Sequence, residues 1–366
     1  MNISKSLKFG ITSVNDVNIW SNGLGQNIWF LFKLLKKVGY NVELVSQSTK
    51  ITEGKLFSEP IVSLHEESCQ QYDFIIEIAN GLTESLAEYY TQQGGKIVTI
   101  QYGNNLLIEM GEMIYKPDML PRGIRTRTEI WTSPHYEFAI PAYKTLEQID
   151  IKICPYIWES ELLKAQCIAK KYDPYFNLER DTKNVSVLES NLYIVKTCKI
   201  PILVAENLNQ RRPDLLNNVF VYGSHELKEN KTFEQMVRKL TTFAEQKISF
   251  EHRYSFPWLA HKDMLGVMIS HQWNNELNYL QLEAMHLGAP FVHNSPVFAE
   301  YGYYYPDFDV EQGGRALEMA METHKDNFEF IKKREAEGLW NYDPKNPKNI
   351  KGYVELIEEF AAKHIK

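Results

Sequence analysis

The strongest constraint in this chain is a rhythm. Apolar runs of strand length alternate with amphipathic segments of helix length from one end to the other. LKFGITSV (residues 7–14) has the pattern of a buried strand. A loop rich in Asn, Ser and Gly follows, then QNIWFLFKLLKKVG (26–39), an amphipathic helix closed by Gly39. NVELVSQ, YDFIIEIA (72–79) and KIVTIQY (96–102) continue the strands, with a helix predicted over 83–92. Strand–helix–strand alternation brings each strand back in the same direction, so the sheet is expected to be parallel and doubly wound. A second alternating set begins at residue 184, with VSVLES, IPILVAE, VFVYG, KISFEH, MLGVMISH and APFVHN as predicted strands. Between the sets lies a polar stretch, 159–183, rich in Lys, Asp and Asn.

The length of 366 residues exceeds one ordinary core and suits two. The expected fold class is therefore α/β, with two Rossmann-like domains whose parallel sheets face a central cleft. Residues 1–158 form the first domain, 159–183 a linker and 184–350 the second domain. Residues 351–366 form an amphipathic C-terminal helix. Ligands of open parallel sheets bind beyond the carboxyl ends of the strands, which is where site residues are sought.

Composition narrows the function. Hydrophobic residues at 44% and charged residues at 24% describe an ordinary globular protein. A net charge of -7 gives no global basic field for nucleic acid, although a local basic groove stays compatible with it. The four cysteines (Cys69, Cys154, Cys167, Cys198) contain no CxxC pair and read as reduced thiols. The N-terminal MNISKSLKFGITS lacks a signal-peptide core, and no apolar run approaches the ~18 residues of a membrane span. A cytoplasmic protein, in a bacterial cell or a phage-infected host, is expected.

SHQWNNELNYLQLEAMHLGAPFVHNS (270–295) is the most informative segment. It reads as a strand ending in a polar loop, a helix over 276–287, a turn at Gly288 and another strand at 289–292. Leu277, Leu280, Ala284 and Leu287 form one helical stripe that would pack on a sheet. Free N–H groups and the macrodipole at such a helix start favour an anion. Glu283, farther along, is placed to accept hydrogen bonds from ribose hydroxyls.

LEAMHLGAP (282–290) resembles the nucleotide-sugar segment of GT-B glycosyltransferases, especially the retaining ones related to glycogen and sucrose synthases. HQWNNELNYLQLE, VHNS and GYYYPDFD (302–309) resemble a poorly characterised bacterial and phage group of that superfamily. Two glutamates separated by seven residues mark the family's helix. The resemblance makes Glu283 the ribose-binding acid. It maps the first acid, which contacts the donor sugar, onto Asn275, with Glu276 one place later. The chain departs from the pattern there. The resemblance also implies that no metal and no tightly bound cofactor is needed, with a UDP-sugar as donor substrate. It further implies that the C-terminal helix crosses back to the first domain.

Other candidates lie at predicted strand ends. Gly23 and Gly25, in a loop after the first strand, would let backbone N–H groups approach a phosphate, and GLGQN is not the GxGxxG of a dinucleotide site. Asn191 and Lys196 follow the first strand of the second half, and Arg253 follows KISF. Lys196 and Arg253 are alternative partners for a diphosphate. Arg211 and Arg212 read as an exposed loop. His271, Trp273 and Asn274 follow MLGVMIS, and Trp273 could stack on a sugar or base. For a catalytic base the candidates are Asp16 and His135, with Asn275 and Glu276 on the donor side; Glu77, Asn104 and Glu109 occupy similar positions. Arg122, Arg125 and Arg127 form the one compact basic cluster of the first half, suited to an anionic acceptor.

These readings converge on transfer of a sugar from a nucleoside diphosphate to a hydroxyl acceptor: a glycan, lipid or protein, or modified DNA. A phage-type enzyme acting on a hydroxymethylated base would have to expose that base. The T-even phage DNA glucosyltransferases share the GT-B architecture. A nucleotide-sugar epimerase is a further possibility. So is a nucleotide-sugar-binding protein with a degenerate site, the reading that Asn275 favours.

Overall fold

The computed structural model describes residues 6–13, 19, 23–48, 55–56, 59–78, 81–115, 126–172, 176, 183–262, 264–276 and 278–365. Asp16, Arg122, Arg125 and Leu277 lie outside them.

The chain divides into two compact units, one of Met1–Leu162 with Trp340–Lys366, the other of Leu163–Leu339. In the first, the strands are β1 (Lys8–Thr12), β2 (Asn41–Ser46), β3 (Lys55–Leu56), β4 (Glu59–Ser63), β5 (Phe74–Ile78), β6 (Lys96–Gln101), β7 (Glu129–Thr132) and β8 (Asp150–Ile153). They form one sheet in the order β3-β4-β2-β1-β5-β6-β7-β8. Every pair is parallel except β3 with β4. Phe9, Ile11, Phe74, Ile75 and Ile76 are fully buried, as strands covered on both faces require. The Gly23–Val38 helix buries Ile28, Phe30, Leu31 and Leu35 against this sheet and carries Lys36 and Lys37 in its last turn, where they complement the helix dipole.

The Pro347–His364 helix completes the same unit. Phe360 packs 5.2 Å from Phe74 and 6.4 Å, edge-on, from Trp131. The Tyr353 hydroxyl donates to the Pro155 carbonyl at 2.6 Å and sits 2.8 Å from the Tyr102 hydroxyl. Trp158 N–H donates to the Tyr342 carbonyl at 2.8 Å, fixing the return of the chain. The polar stretch that begins at 159 opens with a helix, Glu161–Lys170.

The second unit is a six-stranded sheet of β9 (Asn184–Val187), β10 (Asn218–Tyr222), β11 (Ile248–Glu251), β12 (Val267–Ser270), β13 (Phe291–His293) and β14 (Tyr303–Tyr304). Its order is β11-β10-β9-β12-β13-β14 and all its pairs are parallel. One predicted strand is wrong: IPILVAE belongs to the Lys199–Arg211 helix. Its β-branched residues favour a strand locally, but the periodicity runs on through Leu208 and Asn209, and Pro201 falls harmlessly in the first turn. That helix packs tightly on the Val310–Thr323 helix. A Cβ on Gly313 would lie 2.6 Å from Val204, so a glycine is needed at that contact.

Candidate functional site at the strand ends of the second unit

Glu189, two residues beyond β9, organises this end of the sheet. It is 3% exposed. Its carboxylate accepts from Ser270 Oγ and His271 N–H, each at 2.9 Å, and from Gln272 Nε2 at 3.0 Å. These bonds tie the β9 loop to the loop after its neighbour β12. A reciprocal amide pair carries the tie onward to β13: Gln272 N–H donates to Asn294 Oδ1, and Asn294 Nδ2 donates to the Gln272 carbonyl, both at 2.8 Å. Burial raises the Glu189 pKa, and its hydrogen-bond donors and the Lys196 charge oppose the rise.

The β9 loop turns through Asn191, a non-glycine residue at φ 54°. Its side chain is spent on that turn. Nδ2 donates to the carbonyls of Glu189 (3.1 Å) and Gly223 (3.2 Å), and Oδ1 accepts from Cys198 N–H (2.8 Å). Asn191 therefore holds Lys196 in place and has little left for a ligand. Lys196 lies in a tight reversal before the helix, bridged to Tyr193, and not on the helix itself. Its ammonium has no hydrogen-bond partner among the described residues. Burial lowers its pKa, the nearby Arg253 charge lowers it further, and Glu189 pulls it back. Arg253, exposed after β11, thus acts on the same space as Lys196. The two alternative phosphate partners of the sequence reading are therefore close enough for the charge of one to act on the other.

The helix of the LEAM segment spans Tyr279–Leu287, three residues shorter at its start than expected. Asn278 caps it by accepting from Leu280 N–H at 3.1 Å, and Gly288 closes it at φ 70°. Ala284 and Leu287 are buried as the stripe requires, while Leu280 is partly exposed. Glu283 is partly exposed, and among the described residues nothing donates to it or pairs with it. Enclosure by protein pushes its pKa up to about 8. Burial also raises the pKa of Glu276, whose charge acts on the Tyr304 hydroxyl. Asn275 is 5% exposed, while Trp273 at 40% and Asn274 are open to solvent. Asn274 takes a left-handed φ of 46°, and Trp273 N–H donates to the Val195 carbonyl at 3.0 Å, joining this loop to the one that carries Lys196.

His271 is held by its Nδ1, 2.9 Å from the Tyr305 hydroxyl, and its Nε2 is buried without a partner among the described residues. Burial lowers its pKa to about 4, so it is neutral at physiological pH. Gln281, fully buried on the LEAM helix, donates to Ser295 Oγ at 3.2 Å and leaves its Oε1 unpaired. Gln272 Oε1 is a third buried polar atom of this segment without a partner among the described residues, a kind of atom that is uncommon in folded chains.

The first unit separates its candidates. Gly23 starts its helix exposed and Gly25 is buried two residues on. His135 sits in a 3₁₀ turn, Pro134–Ala139, with Nδ1 3.3 Å from Ser133 Oγ and its ring edge-on to Tyr156. Burial lowers its pKa to about 4. Arg127 is not part of an exposed basic loop: its side chain is 3% exposed and 3.5 Å from Glu147. That contact is a buried ion pair, which removes Arg127 from direct contact with an acceptor. Glu77 is likewise committed, accepting from Leu82 N–H and Thr99 Oγ1. Arg211 and Arg212 are paired with Glu318, and Arg212 also with Asp214 and Glu322.

Sequence reasoning did not find the hydrogen-bonding network of Glu189, Gln272, Asn294 and Tyr305. Each lies one or two residues past the end of its strand, and polarity directly after an apolar run was the available signal. Among the described residues no group of three or more His, Cys, Asp or Glu is placed to hold a metal. All four cysteines are buried and unbridged. Among the described residues no helix is long and apolar enough to cross a membrane.

Residues 9–357 match a family described as Protein of unknown function (DUF2827). No curated protein matches. Among solved structures, the chain is similar to a glycosyltransferase from Rickettsia africae ESF-5 (12% identity, 96% of this chain and 98% of that chain, TM-score 0.56). It is similar to Anabaena Alr3699/HepE, solved with UDP and glucose (10% identity, 96% and 100%, TM-score 0.58). A third is an α-glucosyltransferase solved with UDP and a 13-mer DNA containing an HMU base (11% identity, 96% and 99%, TM-score 0.59). These likenesses show the fold to be GT-B, two α/β units each built on a parallel sheet.

Proposed function

We propose, for a chain that belongs to the DUF2827 family, that it is a glycosyltransferase that moves a sugar from a nucleoside diphosphate, UDP, to a hydroxyl acceptor. One observation carries the reading. The second unit carries a carboxyl on Glu283, in the helix that follows β12, and an ammonium on Lys196, in the loop that follows β9, and neither has a partner among the described residues; burial shifts the pKa of both. A nucleoside diphosphate completes both. Ribose hydroxyls donate to Glu283, and the diphosphate accepts from Lys196 and Arg253. Solved neighbours that hold UDP support the carrier.

The chemistry follows from these roles. When the bond from the sugar to the diphosphate breaks, negative charge grows on the leaving UDP, and the Lys196–Arg253 pair offsets it. His271 is neutral, so it can donate or accept a hydrogen bond at the sugar without adding charge. Asn275 and Glu276 stand on the donor-sugar side, and the acceptor belongs to the first unit. There His135, neutral at pH 7, is a weak base for the acceptor proton, with Asp16 the alternative. Nucleotide sugars are made in the cytoplasm, where the reaction is placed. The test is turnover of UDP-sugars. Release of UDP from at least one of UDP-glucose, UDP-galactose and UDP-N-acetylglucosamine is expected. Binding of all three without turnover, across a broad acceptor panel, would favour a degenerate binding protein.

A second reading, a DNA glycosyltransferase acting on a hydroxymethylated base, is favoured by the likeness to an enzyme solved with such DNA. The burial of Arg127 weakens it by removing one of the three cations proposed to meet phosphates.

A further inference from the structure

The first unit has a pocket of about 270 Å³ that none of the site residues above occupies. It lies at the carboxyl ends of β1, β2 and β5, the end of the sheet where ligands of this topology bind. Its lining carries five hydroxyls, on Thr12, Ser13, Ser46, Ser48 and Thr83, and the amide of Gln47; a glycine and a leucine complete it. Among the described residues no lysine, arginine or histidine lines it.

The lining is held in place by its own hydrogen bonds. Gln47 and Thr83 form a reciprocal pair: Thr83 N–H donates to Gln47 Oε1 at 2.7 Å, and Gln47 Nε2 donates to Thr83 Oγ1 at 3.0 Å. Thr12 Oγ1 is anchored by Ile78 N–H at 3.0 Å. Ser46 Oγ accepts from Ser48 N–H at 3.2 Å, and Ser48 Oγ has no partner among the described residues.

Charge decides what such a pocket takes. The Glu84–Gln92 helix starts at its edge and by itself would draw an anion. Thr83 already caps that helix through Leu86 N–H, and Glu84 stands in its first turn. The buried carboxyl of Glu77 lies behind the pocket, bonded to Leu82 N–H at 2.7 Å. Among the described residues the lining offers a phosphate no cation, and it offers a cation no carboxylate. A neutral polyol needs no countercharge, and hydroxyl and amide groups that already hold one another can still share their remaining lone pairs and protons with its hydroxyls. The volume is below the ~300–1,000 Å³ of sites for drug-sized ligands, which suits one sugar ring and not a nucleotide.

We infer that this pocket binds an uncharged sugar ring and that the acceptor is therefore a neutral glycan. The acceptor role rests on the transferase reading; the binding itself does not. The test is saturation-transfer NMR on the full-length protein. The probes are methyl glucoside, galactoside, rhamnoside and N-acetylglucosaminide, the corresponding hexose 6-phosphates, and an oligonucleotide with hydroxymethylated bases. At least one neutral glycoside is expected to bind at least ~5-fold more tightly than its phosphate. Ser48→Tyr, which fills the pocket from a partly exposed position, is expected to weaken that binding ~10-fold or more; Ser48→Ala, losing one hydrogen bond, a few-fold. Matching unfolding curves for wild type and both variants control for folding. The inference is overturned if no glycoside binds, if phosphorylated sugars or the DNA bind better, or if Ser48→Tyr binds like wild type. Failure of wild type to release UDP from UDP-sugars, with glycoside binding intact, would count against the transferase reading alone.

Discussion

Donor affinity should depend on pH through a single residue, Glu283. In the free protein its carboxyl has a pKa of about 8, so at pH 7 about nine molecules in ten carry it protonated. A ribose diol donates best to a carboxylate, so binding must ionise it, at a cost of roughly 1.4 kcal/mol at pH 7. Hydrogen bonds to a charged acceptor contribute about 1.5–3 kcal/mol each. Two hydroxyls at the low end give ~3 kcal/mol, leaving ~1.6 kcal/mol net at pH 7 and nearly the full amount at pH 8.5. Glu283→Ala should therefore lose ~15-fold in affinity for UDP-glucose at pH 7 and ~100-fold at pH 8.5. The wild type should bind roughly tenfold more tightly at the higher pH while the variant stays flat.

Calorimetry in buffers of different ionisation enthalpy checks the mechanism directly. UDP-glucose carries no titrating phosphate in this range, so the proton must come from the protein. Close to 0.9 proton per donor should leave at pH 7, and none in Glu283→Gln. Stability gives an independent sign. The folded pKa is raised, so below about 4.5 both states hold the proton and nothing is lost. Between there and about 8 the unfolded chain ionises while the folded one does not, and stability falls as pH rises. Glu283→Gln should abolish that fall, worth roughly 2–4 kcal/mol by pH 8. A pH-independent donor affinity without proton release, or an unchanged affinity in Glu283→Ala, would refute the reasoning and reduce Glu283 to a helix-surface residue.

Three further outcomes are expected. Lys196→Ala and Arg253→Ala should each weaken UDP binding ~10- to 100-fold while barely touching uridine; equal losses for both ligands would show a role in folding only. Glu189→Ala should cost about 2–4 kcal/mol in urea unfolding by stranding the His271 N–H and the Gln272 amide, and should weaken donor binding through the displaced loops; a stability change under ~0.5 kcal/mol would contradict the hub. Arg127→Gln should cost about 3–5 kcal/mol, with Glu147→Gln added on top restoring much of it, because removing one member leaves a buried charge; additive losses would show that the two do not interact.

How much of this could be read from residues alone depended on range. Period and apolarity are local, so β1, β2, β5 and β6 of the first sheet, β9 to β13 of the second and the Gly288 stop were legible, while the shorter or less apolar β3, β4, β7, β8 and β14 were missed. The one false strand, IPILVAE, arose where β-branched residues sit in a helix, because tertiary packing on the Val310–Thr323 helix overrides local preference. What stayed hidden was pairing. Arg127 looks exposed until Glu147, twenty residues on, is folded against it. Asn191 looks available until its side chain closes its own turn. Lys196 and Arg253 looked like rivals because nothing in a linear sequence says that the charge after β11 reaches the one after β9. The same lack of pairing information hid Glu189, whose donors come from more than eighty residues away. A parallel sheet produces such convergence by construction, since every strand ends on the same side. Polar residues directly after apolar runs should therefore be treated as members of one site from the start, and those without a partner among the described residues, such as Glu283 and Lys196, as the first to substitute when its ligand contacts are sought.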